Sequence, residues 1–365
     1  MRVALVHDWL TGMRGGEQVL LSLARLFPQA PIFTLLHVRG SVAPELEARE
    51  IRTSVLQRFP QVERRYRHYL PLYPLAAASL DLRGFELIVS SSHAAAKGVR
   101  VPAGARHLCY CHTPMRYVWD RFDEYFGPGR VSPLLRPLIR LLAWRLRAWD
   151  VRTARGVHAF AANSRFVAGR IRRYYGRDAV VIPPPVDADF FTPGPAGPGS
   201  YDLVVSALAP YKRLELVLEA YRGTGRPLRI VGDGPEEARL KRLAPPEATF
   251  LGRLSSERLR EAYRGCRAVI MPSVEDFGIV PLEAMACGRP AIVFAEGGGP
   301  ESVVDGRTGL VFREATAGAL RAAVDSLQVS GFNTDALRAR AEEFRREVFE
   351  ARLRAFIEDA LSLTC

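Results

Sequence analysis

Short apolar runs alternate with helix-spaced segments along the whole chain. In the first half "VALVHDW", "PIFTLL", "ELIVSSS", "HLCYCHT", "GVHAFAANS" and "AVVIPPPV" predict strands. In the second half "DLVVSAL", "LRIVGDG", "ATFLGR", "AVIMPS", "PAIVFAE" and "TGLVF" do the same. Between them apolar residues recur at helical spacing, as at Leu214, Val217, Leu218 and Tyr221. This alternation predicts an α/β protein of two Rossmann-like, doubly wound parallel-sheet domains. The Pro/Gly-rich stretch "PPPVDADFFTPGPAGPGSY" continues neither a helix nor a central strand. It divides the chain into a first domain over 1–186, a linker over 187–200 and a second domain over 201–340. Helical patterning from Asp335 to Leu363 predicts one long terminal helix, its 341–365 part crossing back to the first domain.

In open α/β sheets ligands bind beyond the carboxyl ends of the strands. Two such domains facing each other are expected to form a cleft lined by His7–Glu17, Ser90–Lys97 and His112–Tyr117 from the first. The second is expected to add Ala207–Arg213, Gly232–Pro235, Ser273–Gly278 and Glu296–Glu301. The stretch "EDFGIVPLEAMACGRP" at 275–290 is the most informative of these. Gly278 permits a tight turn, Pro281 suits a helix start, and Gly288 with Pro290 ends the helix. Glu275 then lies at a strand mouth and Glu283 in the first turns of the helix beyond. Free N–H groups there favour an anion, and the carboxylates suit hydroxyl donors. An anion flanked by hydroxyls describes a nucleotide sugar.

Composition narrows the partners. The chain has 365 residues, 48% apolar and 25% charged, as in an ordinary globular protein. Its net charge is +12, yet residues 1–186 hold 28 Lys+Arg against 13 Asp+Glu and the rest hold 23 against 26. The basic excess thus belongs to the first half and fits an anionic partner there: a membrane surface, a phospholipid-linked substrate or nucleic acid. Only three of the 51 basic residues are Lys, a compositional bias that explains Arg over Lys but not the split. "RRYRHYLPLYPLA" from 64 and "RVSPLLRPLIRLLAWRLRAWD" from 130 interleave Arg with aromatic and aliphatic residues. Each reads either as an interfacial amphipathic segment or as a core-facing helix with solvated arginines. The first is the better candidate for a membrane or lipid-pyrophosphate contact. No apolar run reaches the length of a spanning helix, and the N-terminus lacks the pattern of a signal peptide. Five cysteines without metal spacing read as reduced thiols, so a cytoplasmic protein is expected, peripheral at the inner membrane face if it meets the membrane. "DAD" at 187–189 sits in the linker rather than after a nucleotide-binding strand and is discounted as a metal site.

With these loops assembled, the chain resembles the GT-B glycosyltransferases, specifically the retaining family 4. The residues that carry this are "EDFGIVPLEAMACGRPAI", matching that family's E-x7-E signature, and "GGGPESVVDGRTGLVF". "SALAPYKRLELVLEA", "IVGDGPE", "AANSRFVAGRIRRYYGRDAVVIPPPVD", "HDWLTGMRGGEQVL" and "CYCHTPMRYVWD" add to it, and the likeness is strongest to mannosyltransferases of O-antigen and exopolysaccharide assembly. The resemblance implies that Lys212 holds the donor diphosphate with Arg213 as helper, and that Gly15 and Gly16 offer it backbone N–H groups. It implies that Glu275 and the N–H groups around Phe277, Gly278 and Ile279 contact the transferred sugar, and that Glu283 takes the ribose hydroxyls. His112 is implied beside the donor sugar as a catalytic group with Glu275, while Arg14, Glu17 and Arg116 fall on the acceptor side. The family's Arg five residues before the Lys is absent, since Ala207 stands there. The resemblance implies no cofactor and no essential metal: the nucleotide sugar, GDP-mannose foremost and UDP-sugars next, is a substrate. Implied partners are that donor and a lipid-linked or oligosaccharide acceptor, without nucleic acid. A nucleotide-sugar epimerase of the same fold, a non-catalytic nucleotide-sugar-binding protein and a nucleic-acid-binding protein stay open as alternatives.

Overall fold

The computed structural model describes residues 1–127, 131–195, 197 and 199–362. Arg130 at the head of the second arginine-rich stretch, linker positions 196 and 198, and the last three residues lie outside these. The chain forms two compact units, one of Met1–Pro184 with Phe349–Cys365, the other of Pro185–Val348.

The first unit is built on seven parallel strands: β1 (Val3–His7), β2 (Ile32–Thr34), β3 (Ile51–Thr53), β4 (Leu87–Ser92), β5 (Arg106–Cys111), β6 (Ala159–Ala162) and β7 (Ala179–Val181). Their order is β3-β2-β1-β4-β5-β6-β7, so the winding reverses between β1 and β4. There the register sets His7 opposite Ser91. Every residue of β4 is buried, as expected of a central parallel strand covered on both faces. β3 escapes the sequence pattern because it is three residues long at the sheet edge, with Arg52 and Thr53 exposed. Helices α1 (Gly15–Leu26), α2 (Arg136–Ala154) and α3 (Arg165–Tyr175) lie in this unit. Val19, Leu20 and Leu23 of α1 pack with Leu5, Val89 and Leu108 of the sheet. Ser164 caps α3 through the N–H of Val167.

The second unit carries six parallel strands: β8 (Tyr201–Val205), β9 (Leu228–Val231), β10 (Ala248–Gly252), β11 (Cys266–Met271), β12 (Ala291–Phe294) and β13 (Gly309–Phe312). Their order, β10-β9-β8-β11-β12-β13, reverses between β8 and β11. Helices α4 (Leu214–Tyr221), α5 (Val280–Ala286) and α6 (Thr334–Glu342) belong here. The segment read as a linker is in part core, since Ala188 and Phe191 are buried with Tyr263 and Leu282. Proline bars regular structure but not packing, so the division falls at Pro184/Pro185 rather than within 187–200.

The terminal helical stretch is two helices, not one. α6 ends at Glu342, and α7 spans Arg346–Ser362. Between them Phe344 turns into the core of the second unit, and its carbonyl accepts the N–H of Val186 at 2.8 Å. From Phe349 onward α7 belongs to the first unit, where Phe349, Leu353, Phe356 and Ile357 join Leu5, Leu108 and Tyr110. That spacing is one helical stripe. Cys109, Cys111, Cys266 and Cys287 are buried and unbridged. Among the described residues no helix is long and apolar enough to cross a membrane.

Candidate functional site

The residues singled out by sequence fall into two groups, one on each unit. In the second unit they gather where the strand order reverses. The loop after β8 makes a short turn, Pro210–Lys212, that delivers Lys212. The loop after β11 delivers Glu275, and Lys212 Nζ donates to Glu275 Oε1 at 2.6 Å. The Ser273 hydroxyl donates to the same oxygen. Both charged side chains are 16% exposed. The crevice at such a reversal is where nucleotides bind in doubly wound sheets.

Backbone contacts hold this loop in place. The Glu275 carbonyl accepts the Gly298 N–H at 2.7 Å, and Glu275 bridges to Gly297. A Cβ on Gly298 would sit 2.3 Å from the Asp276 carbonyl oxygen, so only glycine admits this approach. Gly278 turns the chain at φ +87° into α5. Phe277 sends its ring into the core, 5.7 Å from Phe344, which leaves its backbone rather than its side chain for a ligand. The N–H groups of Gly278, Ile279 and Val280 precede or open α5, where a helix has no carbonyls of its own to bond them.

Arg213 has two unusual features. It sits at φ +53°, a left-handed conformation that costs a non-glycine residue about 1 kcal/mol. Its guanidinium lies over the Phe294 ring at 4.9 Å, and its Nη1 is buried with no hydrogen-bond partner among the described residues. Glu283, in the first turns of α5, is partly buried and accepts the Tyr263 hydroxyl at 2.5 Å. Burial pushes its carboxyl up to about 7, and the Tyr263 hydrogen bond offsets only part of that rise. Ser273 and Tyr263 were not foreseen; Ser273 shares its strand-end loop with Glu275, while Tyr263 lies in the last turn of the helix Ser256–Gly265 and carries no local signal.

In the first unit the candidates surround β1, β4 and β5. His112 follows β5, and its Nε2 lies 2.8 Å from the Ser91 hydroxyl. Ser91 in turn lies 3.1 Å from His7 Nδ1, and His7 Nε2 is 3.9 Å from Glu17 Oε1. A polar row thus runs from Glu17 through His7 and Ser91 to His112. Glu17, which the resemblance puts on the acceptor side, is buried, its other oxygen accepting the Arg14 N–H at 3.0 Å. Burial pushes the Glu17 carboxyl up, and the neighbouring His7 ring more than reverses it, leaving it lowered. Gly15 opens α1 with free space around it, whereas a Cβ on Gly16 would lie 3.4 Å from His7 Cε1. Arg14 is exposed and Arg116 partly so. The His112 carbonyl accepts from Asn163 Nδ2 at 3.0 Å.

Asp8 lies fully buried beside this row. Its carboxylate accepts the backbone N–H groups of His93, Ala94, Ala95 and Ala96 at 2.6–3.0 Å. Burial pushes its pKa up, but His93, His7 and the backbone donors prevail, and the group is held below the usual carboxylate range. Asp8, His7, Ser91 and Asn163 were missed as individuals. The available signal was position, since each sits at a strand end. Among the described residues no group of three or more His, Cys, Asp or Glu is arranged to hold a metal ion. Asp187 and Asp189 of the "DAD" stretch lie near Arg346 and Arg345 instead, at 3.4 and 3.7 Å.

Two parallel-sheet units of this winding define the GT-B class. Known structures agree: the chain is similar to Anabaena HepE in complex with UDP and glucose, with a TM-score of 0.72, 17% identity and 98% of this chain and 99% of that one covered. It is likewise similar to a sucrose-phosphate synthase from Thermosynechococcus elongatus, at 0.74, 17% and full coverage of both. The family described as Glycosyltransferase Family 4 matches residues 13–190, and that described as Glycosyl transferases group 1 matches residues 187–346. Residues 13–190 therefore form a Glycosyltransferase Family 4 domain and residues 187–346 a glycosyl transferases group 1 domain. A GDP-mannose-dependent alpha-(1-6)-phosphatidylinositol monomannoside mannosyltransferase of Mycolicibacterium smegmatis is 32% identical over 195 residues, 45% of this chain and 51% of that protein. A D-inositol 3-phosphate glycosyltransferase of Mycobacteroides abscessus is 37% identical over 154 residues, 36% of this chain and 34% of that protein. The matched stretch spans about half the length of the first relative and a third of the second.

Proposed function

We propose that this glycosyltransferase is a retaining hexosyltransferase that moves mannose from GDP-mannose to a lipid-linked or growing surface-polysaccharide acceptor. The observation that carries the reading is the Lys212–Glu275 pair at the β8/β11 reversal, with Glu283 on the helix that follows. Similarity to a GDP-mannose-dependent relative supports the choice of donor. The sugar's C1–O bond to the diphosphate breaks as the acceptor oxygen bonds C1 on the same face, and the departing phosphate oxygen takes the acceptor's proton. Negative charge grows on the diphosphate, so fixed cations there lower the barrier. Lys212 supplies one, and the orphaned Nη1 of Arg213 supports it as the second, in place of the arginine missing at Ala207. Two fixed cations facing the diphosphate are the ground for expecting no essential metal.

Glu275 accepts hydroxyls of the transferred sugar and Glu283 the two ribose hydroxyls, a geometry one ionised carboxylate can satisfy. The resemblance assigns His112 to the donor sugar; within the first unit its carbonyl is oriented by Asn163 and its ring by Ser91. Peripheral attachment at the inner membrane face is supported by an exposed row on α2 and just before it: Leu134, Leu138, Leu141 and Trp144, the first 90% exposed. A thermal-shift panel of GDP, UDP, ADP and their sugars tests the donor. GDP-mannose should give the largest shift, and Lys212→Ala and Glu283→Ala should each lose it while staying folded. A shift retained in both variants overturns the reading. Flotation with anionic vesicles tests the membrane contact, and no binding at low salt sinks it.

A further inference from the structure

α2 is apolar on two faces. A helix on a soluble domain normally buries one apolar stripe and shows water a polar one. Here Leu138, Leu141 and Trp144 face outward, while their neighbours Ile139, Leu142 and Leu146 line a cavity of about 430 Å³. The opposite wall comes from Tyr73, Tyr117 and Tyr125. The cavity is open at one side, and its volume lies near the lower end of the roughly 300–1,000 Å³ of small-molecule pockets. Among its lining residues Arg67, His68 and Pro71 are the exposed ones and form the rim.

Charge specifies the head group. Arg64 and Arg65 precede Arg67, and Arg136, Arg140, Arg145 and Arg147 lie along α2, with no acidic residue from 131 to 149. Among the described residues the Arg67 guanidinium has neighbouring tyrosines and no carboxylate in an ion pair; Tyr66 lies 5.3 Å from it, ring centroid to Cζ. An occupant with a cationic or neutral head would leave this rim unanswered. One with an aliphatic chain and a phosphate head answers both wall and rim.

We propose that the cavity beneath α2 takes the single aliphatic chain of a lipid phosphate or diphosphate, with Arg67 at the head group. The outward leucines and Trp144 then rest in the bilayer from which the chain enters. This deepens the reading of a lipid-linked acceptor and rests on it. The segment from 64, preferred from sequence for the lipid contact, supplies the rim, whereas α2 supplies the apolar wall and the surface contact.

Titration of the full chain with farnesyl diphosphate, inorganic pyrophosphate and farnesol, read by tryptophan fluorescence, tests it. Farnesyl diphosphate should bind at least about tenfold tighter than either fragment, because burying several methylenes and pairing the head act together. Ala143→Trp fills the cavity and should remove that advantage while GDP-sugar shifts stay unchanged; Ile139→Trp, at a less buried wall position, serves if the first variant does not fold. Arg67→Ala should bring farnesyl diphosphate down to the level of farnesol. Equal binding by a folded cavity-filled variant, or pyrophosphate binding as tightly as the prenyl diphosphate, overturns the cavity. Transfer to a chain-free oligosaccharide as fast as to a prenyl-linked one overturns instead the lipid-linked acceptor, and farnesyl diphosphate affinity is unaffected by that result.

Discussion

Lys212 and Glu275 are bonded to each other at 2.6 Å, although one is assigned to the diphosphate and the other to the sugar. Each neutralises the other's charge, and Ser273 adds a donor to the same carboxylate oxygen. Under the proposed assignment, donor binding exchanges one partly buried ion pair for two ligand contacts, and the two residues become energetically coupled. Lys212→Ala should weaken GDP binding by about 10- to 100-fold, the range for a lost charge-assisted hydrogen bond. Glu275→Gln should leave GDP binding near its original level, because it frees Lys212, yet reduce transfer sharply. Isothermal titration with GDP and with GDP-mannose checks both, and additive effects in the double variant would show that the pair is not coupled.

Arg213 allows stability and binding to be moved in opposite directions. Its left-handed φ is strained for an arginine and relaxed for a glycine. Arg213→Gly should therefore raise unfolding stability by about 1 kcal/mol, less the lost contact with Phe294, while weakening diphosphate binding. Arg213→Ala should weaken binding equally without the gain. Chemical denaturation beside GDP titration reads the two effects separately. A glycine variant that binds GDP normally would remove Arg213 from the site.

Glu283 gives the site a pH signature. Its carboxyl is pushed up to about 7 from an ordinary 4.5, so the folded protein holds a proton that the unfolded chain has released. The stability this contributes is complete below about pH 4.5 and is lost as pH rises through 7; its limit is about 3 kcal/mol. Glu283→Gln should flatten that decline and raise the melting temperature of the unliganded protein at pH 8. Nucleotide affinity should run the other way, because only the ionised carboxylate accepts both ribose hydroxyls. GDP should bind more tightly above pH 7 than below it, and the Gln variant should lose this dependence. A pH-independent GDP affinity in the parent protein would detach Glu283 from the ribose.

Much of this was legible in the sequence because parallel strands buried on both faces appear as apolar runs. β4 and β11 announce themselves, and the loops after them follow by position. β3 did not, since an edge strand with two exposed residues has no apolar run to show. Phe344 broke the expected terminal helix through a tertiary contact with Val186, which no local propensity records. Glu275 and Glu283 were legible because a spacing ties them together. The row through Glu17, His7, Ser91 and His112 was not, because its members come from α1, β1, β4 and the end of β5 and meet only when the sheet pairs His7 with Ser91. Spacing within one segment is readable; register between segments is not.

A close backbone approach beside Glu275 in the second unit gives the last prediction. Gly298 lies where a Cβ would come within 2.3 Å of the Asp276 carbonyl oxygen and 2.6 Å of Phe277 Cα, both backbone atoms with no freedom to swing aside. Gly298→Ala must part the loop after β12 from the loop after β11, breaking the 2.7 Å bond from the Gly298 N–H to the Glu275 carbonyl. Overpacking of this kind costs about 1–3 kcal/mol. Because the displaced strand end carries Glu275, transfer should fall by far more than stability does, while Gly318→Ala, on an open helix surface, should leave transfer unchanged and raise stability by up to about 1 kcal/mol. Melting curves and transfer rates on the two variants make the comparison. If Gly298→Ala melted with the parent and transferred sugar at the parent rate, the two loops would not be the clamp that fixes Glu275.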